Sequence, residues 1–463
     1  MRIHYATQVA TAILPSLLFS NPAHALDLDL NSKESIIAAA KVSVEGAFGY
    51  YNGNNSGATP GAFDFSWWEG AALCNAFLNY WRFTGDDKYN YALNMALSHQ
   101  AGDQGDYLNE NYTTYCGNDD QMQWGNAAMA AAEYNLSAPI GIEYNWVSLV
   151  QGVYNNQKDN NEGWDDTTCG GGFRWQKLPV QGTGYHMKNS VSNGGFFQLA
   201  ARLANYLQKD EYAQWAEKTW DWSAKVGLVD TKTWAVGDSV STTDNCKSVD
   251  PTAWSYNYGV YLNGCAYMYA YTQKQVWLDR LNGLIGSTFD TFFLPKYGGT
   301  ISEKTCEAVG NNCDRNQKLF KGLTLMWMAN VALLLPETYD RILKGIQDSA
   351  TGAATSCSGR GNKTCGDRWY QGYDGKIGME EQITATNAFS VAMLPHIDRN
   401  SSKPVTTLTG GNGSSNPNAG TEYDNGMPKF KPITTADRAG AGIMTVVFVG
   451  GLVGMSVFML MGP

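Results

Sequence analysis

Residues 187–226 read "MKNSVSNGGFFQLAARLANYLQKDEYAQWAEKTWDWSAKV", and their pattern decides the fold. Apolar residues recur at helical spacing on both sides of a short polar break, "QKDE" at 208–211. Helices near 187–208 and 210–226 joined by so tight a turn must lie antiparallel, side by side. The pattern repeats along the chain. Further helices are predicted near 33–48, 64–83, 86–101, 119–136, 139–156, 251–271, 273–293, 317–334, 336–350 and 379–396. "TGDD" at 84–87 and "LLPE" at 334–337 are tight turns, whereas 102–118, 157–186, 227–250, 294–316 and 351–378 are long connections. Stacked hairpins closed into a ring put short turns on one face and long loops on the other, where function collects. The expectation is an all-α chain, an (α/α)6 toroid or barrel of six helical hairpins, as one domain over 26–398.

The ends read differently. "MRIHYATQVATAILPSLLFSNPAHA" has Arg2, an apolar stretch and Ala23-His24-Ala25, the layout of a secretory signal over residues 1–25. From Arg399 the composition turns to Ser, Thr, Gly and Asn, predicting a flexible stalk over 399–426. Residues 427–463 end in an apolar run from Gly442 to Met461 with no basic flank after it. Roughly 20 apolar residues suffice to cross a bilayer, so a spanning helix is the competing reading. The polar spacer before the run favours a glycosylphosphatidylinositol (GPI) attachment signal. Asp424-Asn425-Gly426 and Asn418-Ala419-Gly420 are the candidate attachment sites.

Sequons at Asn54, Asn111, Asn135, Asn362, Asn400 and Asn412, together with nine cysteines, suit a secreted glycoprotein on the outer face of a plasma membrane or in a cell wall. Cys306–Cys313 and Cys357–Cys365 bracket short polar loops and are expected to pair. Cys74, Cys116, Cys169, Cys246 and Cys265 are odd in number, leaving at least one thiol, with Cys74 and Cys265 in apolar helical patterns. No CxxC or histidine cluster exists, so no metal or other cofactor is expected. A net charge of −10 argues against nucleic acid. Fifteen tryptophans and 26 tyrosines offer flat faces with polar tips, which suit sugars and large helical cores alike.

Asp119 and Asp120 stand in "CGNDDQMQW" (116–124) at a predicted helix start. Asn118 as N-cap with Gln121 closing a capping box would account for them structurally. Asp86-Asp87 and Asp165-Asp166 show how common such pairs are. The 119/120 pair differs by ending a long loop on the expected functional face, beside Trp124. Two carboxyls ~5 Å apart serve a retaining glycosidase as nucleophile and general acid/base. The helix dipole would keep the first ionised, and like-charge repulsion would raise the second.

Eight stretches resemble glycoside hydrolase family 76, the α-1,6-mannanase-type enzymes, in their fungal GPI-anchored cell-wall branch. They are "FSWWEGAAL" (65–73), "NDDQMQWGNAAMAAAEY" (118–134), "CGGGFRW" (169–175), "NSVSNGGFFQLAARL" (189–203), "WAVGDS" (234–239), "WSYNYGVYLNG" (254–264), "FKGL" (320–323) and "QITATNAF" (382–389). The resemblance implies an (α/α)6 barrel, with Asp119 as nucleophile and Asp120 as acid/base. It also implies that Asp238 holds sugar hydroxyls. Substrate contacts are expected from one of Trp67 and Trp68, from Phe173 and Trp175 after the 170–172 glycines, and from Trp124 unless it packs the core. Lys321 breaks an apolar helix face and needs a carboxylate partner near the cavity. The leading function is a transglycosidase that cuts a mannose-containing glycan, such as the GPI core, and passes it to cell-wall glucan. A hydrolytic endo-α-1,6-mannanase and a non-catalytic glycan-binding wall protein are the alternatives.

Overall fold

The computed structural model describes residues 26–421, except 64–65, 110, 160–162, 308–311, 359–360 and 362, and short pieces beyond 443. The expected signal segment therefore lies outside the described residues, as do Asn362 and most of the apolar tail. Two compact units divide at Glu422. Among the described residues no helix is long and apolar enough to cross a membrane.

Among the described residues the first unit contains twelve α-helices in the predicted order. They are α1 (Lys33–Phe48), α2 (Trp67–Thr84), α3 (Asn90–His99), α4 (Asn118–Glu133), α5 (Trp146–Asp159) and α6 (Ser190–Leu207). Then come α7 (Asp210–Lys225), α8 (Ser255–Thr272), α9 (Gln275–Phe292), α10 (Arg315–Leu334), α11 (Tyr339–Ser356) and α12 (Met379–Val391). Their starts are chemically marked. Ser32 and Asn189 accept from the backbone N–H three residues on, and Asp314 and Gln317 form a reciprocal box. Gly85, in the left-handed conformation, ends α2.

The even-numbered helices form an inner ring and the odd-numbered ones an outer ring. The burial pattern separates them: every residue of α6 is buried, whereas α7 buries one stripe and exposes the other. A polar or aromatic contact marks each joint of the inner ring. Trp67 packs on Trp124 between α2 and α4, and Arg202 bridges α6 to Glu133 of α4. Asn263 binds Gln198, Thr324 binds Ser255, and Thr384 binds the Lys318 carbonyl. Asn79 of α2 reaches Asn387 of α12 at 3.2 Å and closes the circle. The (α/α)6 expectation holds. The Arg202–Glu133 pair is bidentate, at 2.7 and 3.2 Å, and fully enclosed. Removing either partner would strand a buried charge, at a cost of ~3–5 kcal/mol. Close approach of the inner helices also constrains size: a Cβ on Gly322 would sit 2.9 Å from the Thr384 Cα.

Every inner helix runs in the same direction, so all six inner N-termini, and the long loops that precede them, gather on one face. The loops carry the main departures from expectation. Residues 187–189 are not helix but β1 (Met187–Asn189), which pairs antiparallel with β2 (Ser239–Ser241), itself paired with β3 (Val249–Asp250). Cys169–Cys246 ties two of these loops together, Cys306–Cys313 and Cys357–Cys365 pair as expected, and Cys74, Cys116 and Cys265 are buried thiols.

The segment after Arg399 also differs from the flexible stalk expected of it. As far as Thr421 it lies against the barrel. Arg82 binds the Ser402 carbonyl, Val405 N–H donates to Glu133 O, and Thr407 N–H donates to Tyr206 O. Ser and Thr composition predicted mobility, but backbone groups in this stretch find partners on four helices, which composition does not encode.

Candidate active site

Asp119 and Asp120 open α4 on the loop face. The N-cap is Gly117 rather than Asn118, and the acidic side chain that returns to it is Asp120 rather than Gln121: Gly117 N–H donates to Asp120 Oδ2 at 2.7 Å. A Cβ there would displace Asp119 Oδ1 and press on the Trp175 carbonyl, so glycine keeps the carboxyl where it stands. Asn118 is instead a fastener. Its N–H donates to Trp175 O and its Nδ2 to Arg174 O, both at 2.9 Å. Its Oδ1 accepts from Lys177 Nζ at 2.8 Å, and Gln157 of α5 donates to its carbonyl. The 173–177 loop is thereby sewn to the start of α4, which delivers Trp175 and Lys177 to the carboxyl pair.

Both carboxyls of the pair are raised, not the second alone. Burial and the neighbouring Asp120 charge hold the Asp119 carboxyl well above the usual aspartate range. Burial also raises Asp120, to about 6, opposed by the Gly117 N–H and the Lys177 ammonium. Thus the helix terminus and the cation favour ionised Asp120, while Asp119 Oδ1 is buried with no hydrogen-bond partner among the described residues. Burial raises both carboxyls, and they titrate as a pair.

Around the pair stand groups from the other inner helices. Asp238 precedes β2, accepts from Asn257 Nδ2 at 3.2 Å, and is raised to about 6 by burial. Tyr256, at the start of α8, lies within electrostatic reach of Asp119, Asp238, Glu303 and Asp314, its ring stacked on Phe320 with centroids 3.7 Å apart. Trp68 is half-buried on α2, its indole N–H donating to Asn316 at 2.8 Å. Trp175 is also half-buried, and its side chain hydrogen-bonds Asp119.

Trp124, Trp67, Phe173 and Lys321 are buried, the first two along the core alternative that the sequence left open. Trp124 is fully buried between Trp67 and Tyr107, because it lies one turn down α4, below the mouth. Trp67 is buried with its indole on Gln100, whereas Trp68 stays half-buried at the loop-face end of α2. Phe173 is buried against Phe196 and Trp164, its backbone doubly bonded to Asn193. Lys321 does have carboxylate partners, Glu307 at 2.8 Å and Asp367 at 3.5 Å, but it is wholly enclosed and cannot touch a ligand. Glu307, Asp367 and Cys313 cluster there without making a metal site, since Cys313 is in a disulfide and both carboxylates serve Lys321.

Tyr256, Asn257 and Lys177 escaped attention as site residues. "WSYNYG" drew notice only for its resemblance, and Lys177 belongs to no motif at all.

The chain and its fold are matched among known proteins. The family model described as glycosyl hydrolase family 76 matches residues 35–407. The mannan endo-1,6-alpha-mannosidase DCW1 of Candida albicans is 37% identical over 96% of this chain and 98% of its own. Its namesake in Saccharomyces cerevisiae is 38% identical over 92% and 93%. The crystal structure of Dfg5 from Chaetomium thermophilum in complex with glucosamine superposes with a TM-score of 0.79 at 35% identity, covering 85% of this chain and 97% of that one. An inactive variant of the alpha-1,6-mannanase GH76A of Salegentibacter sp., in complex with alpha-1,6-mannotetrose, shares the fold, with a TM-score of 0.63 at 19% identity over 78% and 99%. With a family model over most of its length and relatives matched end to end, the chain belongs to glycosyl hydrolase family 76.

Proposed function

We propose that this protein is a retaining glycosidase acting on α-mannosyl glycans, and that it transfers the cut glycan from a GPI core to cell-wall glucan. The observation that carries the reading is the carboxyl pair opening α4 on the loop face, with Asp120 held by the Gly117 N–H and Asp119 by Trp175. The names of the relatives favour an α-1,6-mannosyl donor, and glucosamine bound to the Chaetomium relative fits a GPI core, whose first sugar is glucosamine.

In the proposed mechanism Asp119 attacks the anomeric carbon while Asp120 protonates the departing oxygen. A covalent glycosyl-aspartate forms, and Asp120, now a base, activates the incoming hydroxyl. Turnover requires Asp119 ionised and the proton on Asp120. Positive charge developing at the anomeric carbon favours that arrangement, since it stabilises ionised Asp119 most. Trp68 and Trp175 supply the flat faces on which pyranose rings settle, and Asp238 and Tyr256 the hydroxyl contacts. A sugar acceptor outcompetes water only if it is held in place, which these aromatic faces can do. A secreted, GPI-anchored location follows from the same reading of the chain ends.

Product analysis tests the function. The protein would be incubated with a labelled mannosyl-glucosamine donor, with and without a β-glucan oligosaccharide. A labelled donor–glucan adduct with retained anomeric configuration is expected. Free reducing sugar alone, whatever the acceptor concentration, would reduce the function to hydrolysis. Inverted product would exclude the covalent mechanism.

A further inference from the structure

We infer that residues 402–421 are a strap that makes the chain leave the barrel on the catalytic side, so that a lipid-anchored molecule turns its active-site mouth toward the membrane. This rests on the anchored reading above and adds an orientation to it.

The path of the strap is specified by side-chain contacts. It begins at the end of the barrel remote from the aspartates, where Arg82 near the end of α2 holds Ser402, and Glu133 at the end of α4 accepts from Val405. It crosses Tyr206 at the end of α6. It then turns and climbs α5, an outer helix antiparallel to α4. Asn145 donates to the Ser414 carbonyl at 3.0 Å, and Gln151 accepts from Asn416 N–H at 2.6 Å. Asn155 donates to the carbonyls of Pro417 and Ala419 at 2.8 and 2.9 Å. Ten residues of helix separate Asn145 from Asn155, a climb of ~15 Å. The strap stops almost level with the site, since Gln157, two residues beyond Asn155, donates to the Asn118 carbonyl.

These contacts also choose between the two attachment sequences. Ala419 is buried and its carbonyl is taken by Asn155, so 418–420 is structural. Asp424-Asn425-Gly426 lies three to five residues past Thr421, a reach of at most ~10–18 Å. A tether that short, leaving at the catalytic level, holds the mouth close to the lipid surface. The donors it favours are glycans carried on lipid headgroups of the same membrane rather than mannan in the outer wall.

The test uses the full-length, lipid-anchored protein in vesicles containing an acceptor-labelled lipid. Val180 beside the mouth and Leu408 at the remote end are 85% and 76% exposed, and each would be changed to cysteine and labelled with a donor dye. The three native thiols are buried and do not compete. Energy transfer should be stronger from Val180→Cys than from Leu408→Cys. Equal or reversed transfer overturns the inference. The difference should disappear in Gln151→Ala/Asn155→Ala and with a Gly/Ser insertion of about 40 residues after Thr421, whose span of ~35 Å rivals the height of the barrel. A difference that survives both changes shows that the strap does not set the orientation. Protein that fails to float with the vesicles refutes the anchor itself. Inactivity on a soluble mannosyl donor would sink the glycosidase reading and leave the orientation result standing.

Discussion

Lys177 offers the sharpest test of how the carboxyl pair is tuned. Its buried ammonium lowers Asp120 and is fixed by Asn118 Oδ1 at 2.8 Å. The active form of the pair holds one proton, so the acid limb of the pH profile marks the loss of that form to double protonation. Lys177 extends the active form to lower pH by favouring ionised Asp120. A cation this close to a carboxylate is worth ~1–3 pKa units. Lys177→Met should therefore move the acid limb of kcat/KM upward by ~1–2 units from its position near 6. At about pH 5 the rate should fall ~10–100-fold, because each unit is a tenfold change in the active fraction. Near pH 8 it should change by less than ~3-fold. Lys177→Arg should retain the wild-type limb. The assay is initial rates on an aryl α-mannobioside from pH 4 to 9, with melting temperature as a folding control. A uniform loss at every pH, with the limb unmoved, would mean that Lys177 only fastens the loop and that the electrostatic reasoning is wrong.

Other outcomes follow from the same geometry. Asp119→Asn should abolish turnover and the covalent intermediate. Asp120→Asn should lose ~10²–10⁴-fold with poor leaving groups and much less with an activated aryl group. The exposed Asp87→Asn should leave activity intact, and loss of stability without loss of activity at 119/120 would reduce the pair to a helix start. Peptide mapping should recover Cys169–Cys246, Cys306–Cys313 and Cys357–Cys365 intact, with Cys74, Cys116 and Cys265 alkylated only after unfolding. Burial raises Glu303 to about 8 and Glu69 to about 7. Groups raised on folding stabilise fully below their unfolded values near 4.3 and lose that contribution as pH rises through the folded ones. The melting temperature should accordingly fall between pH 5 and 9, and Glu303→Gln should flatten the decline; a melting temperature that rises over this range would contradict the assigned shifts.

The helices were legible because their signals are local. The "QKDE" turn, the apolar spacing and the Asp314–Gln317 box act within a few residues, and α1 begins and ends where its pattern does. The two short disulfides were readable for the same reason: sequence separations of 7 and 8 across polar loops leave each cysteine few other partners. The aspartate pair was visible as a helix start that follows a long loop.

What tertiary structure alone decided is everything set by where the ring closes. Trp67 and Trp68 are neighbours of identical chemistry, and only the packing of α2 on α4 sends one into the core and leaves the other half-buried. Cys169 and Cys246 stand 77 residues apart and meet because two loops share a face. The Asp120 carboxyl, raised by burial, is opposed in part by Lys177, which a loop anchored on Asn118 brings in. A polar C-terminal stretch becomes a strap because polar groups on four helices, side chains on α2 and α5 and carbonyls on α4 and α6, bind it. Sequence period specifies which side of a helix is apolar. It carries no record of which other helix will cover that side, and the charge on a buried carboxyl is set by those neighbours.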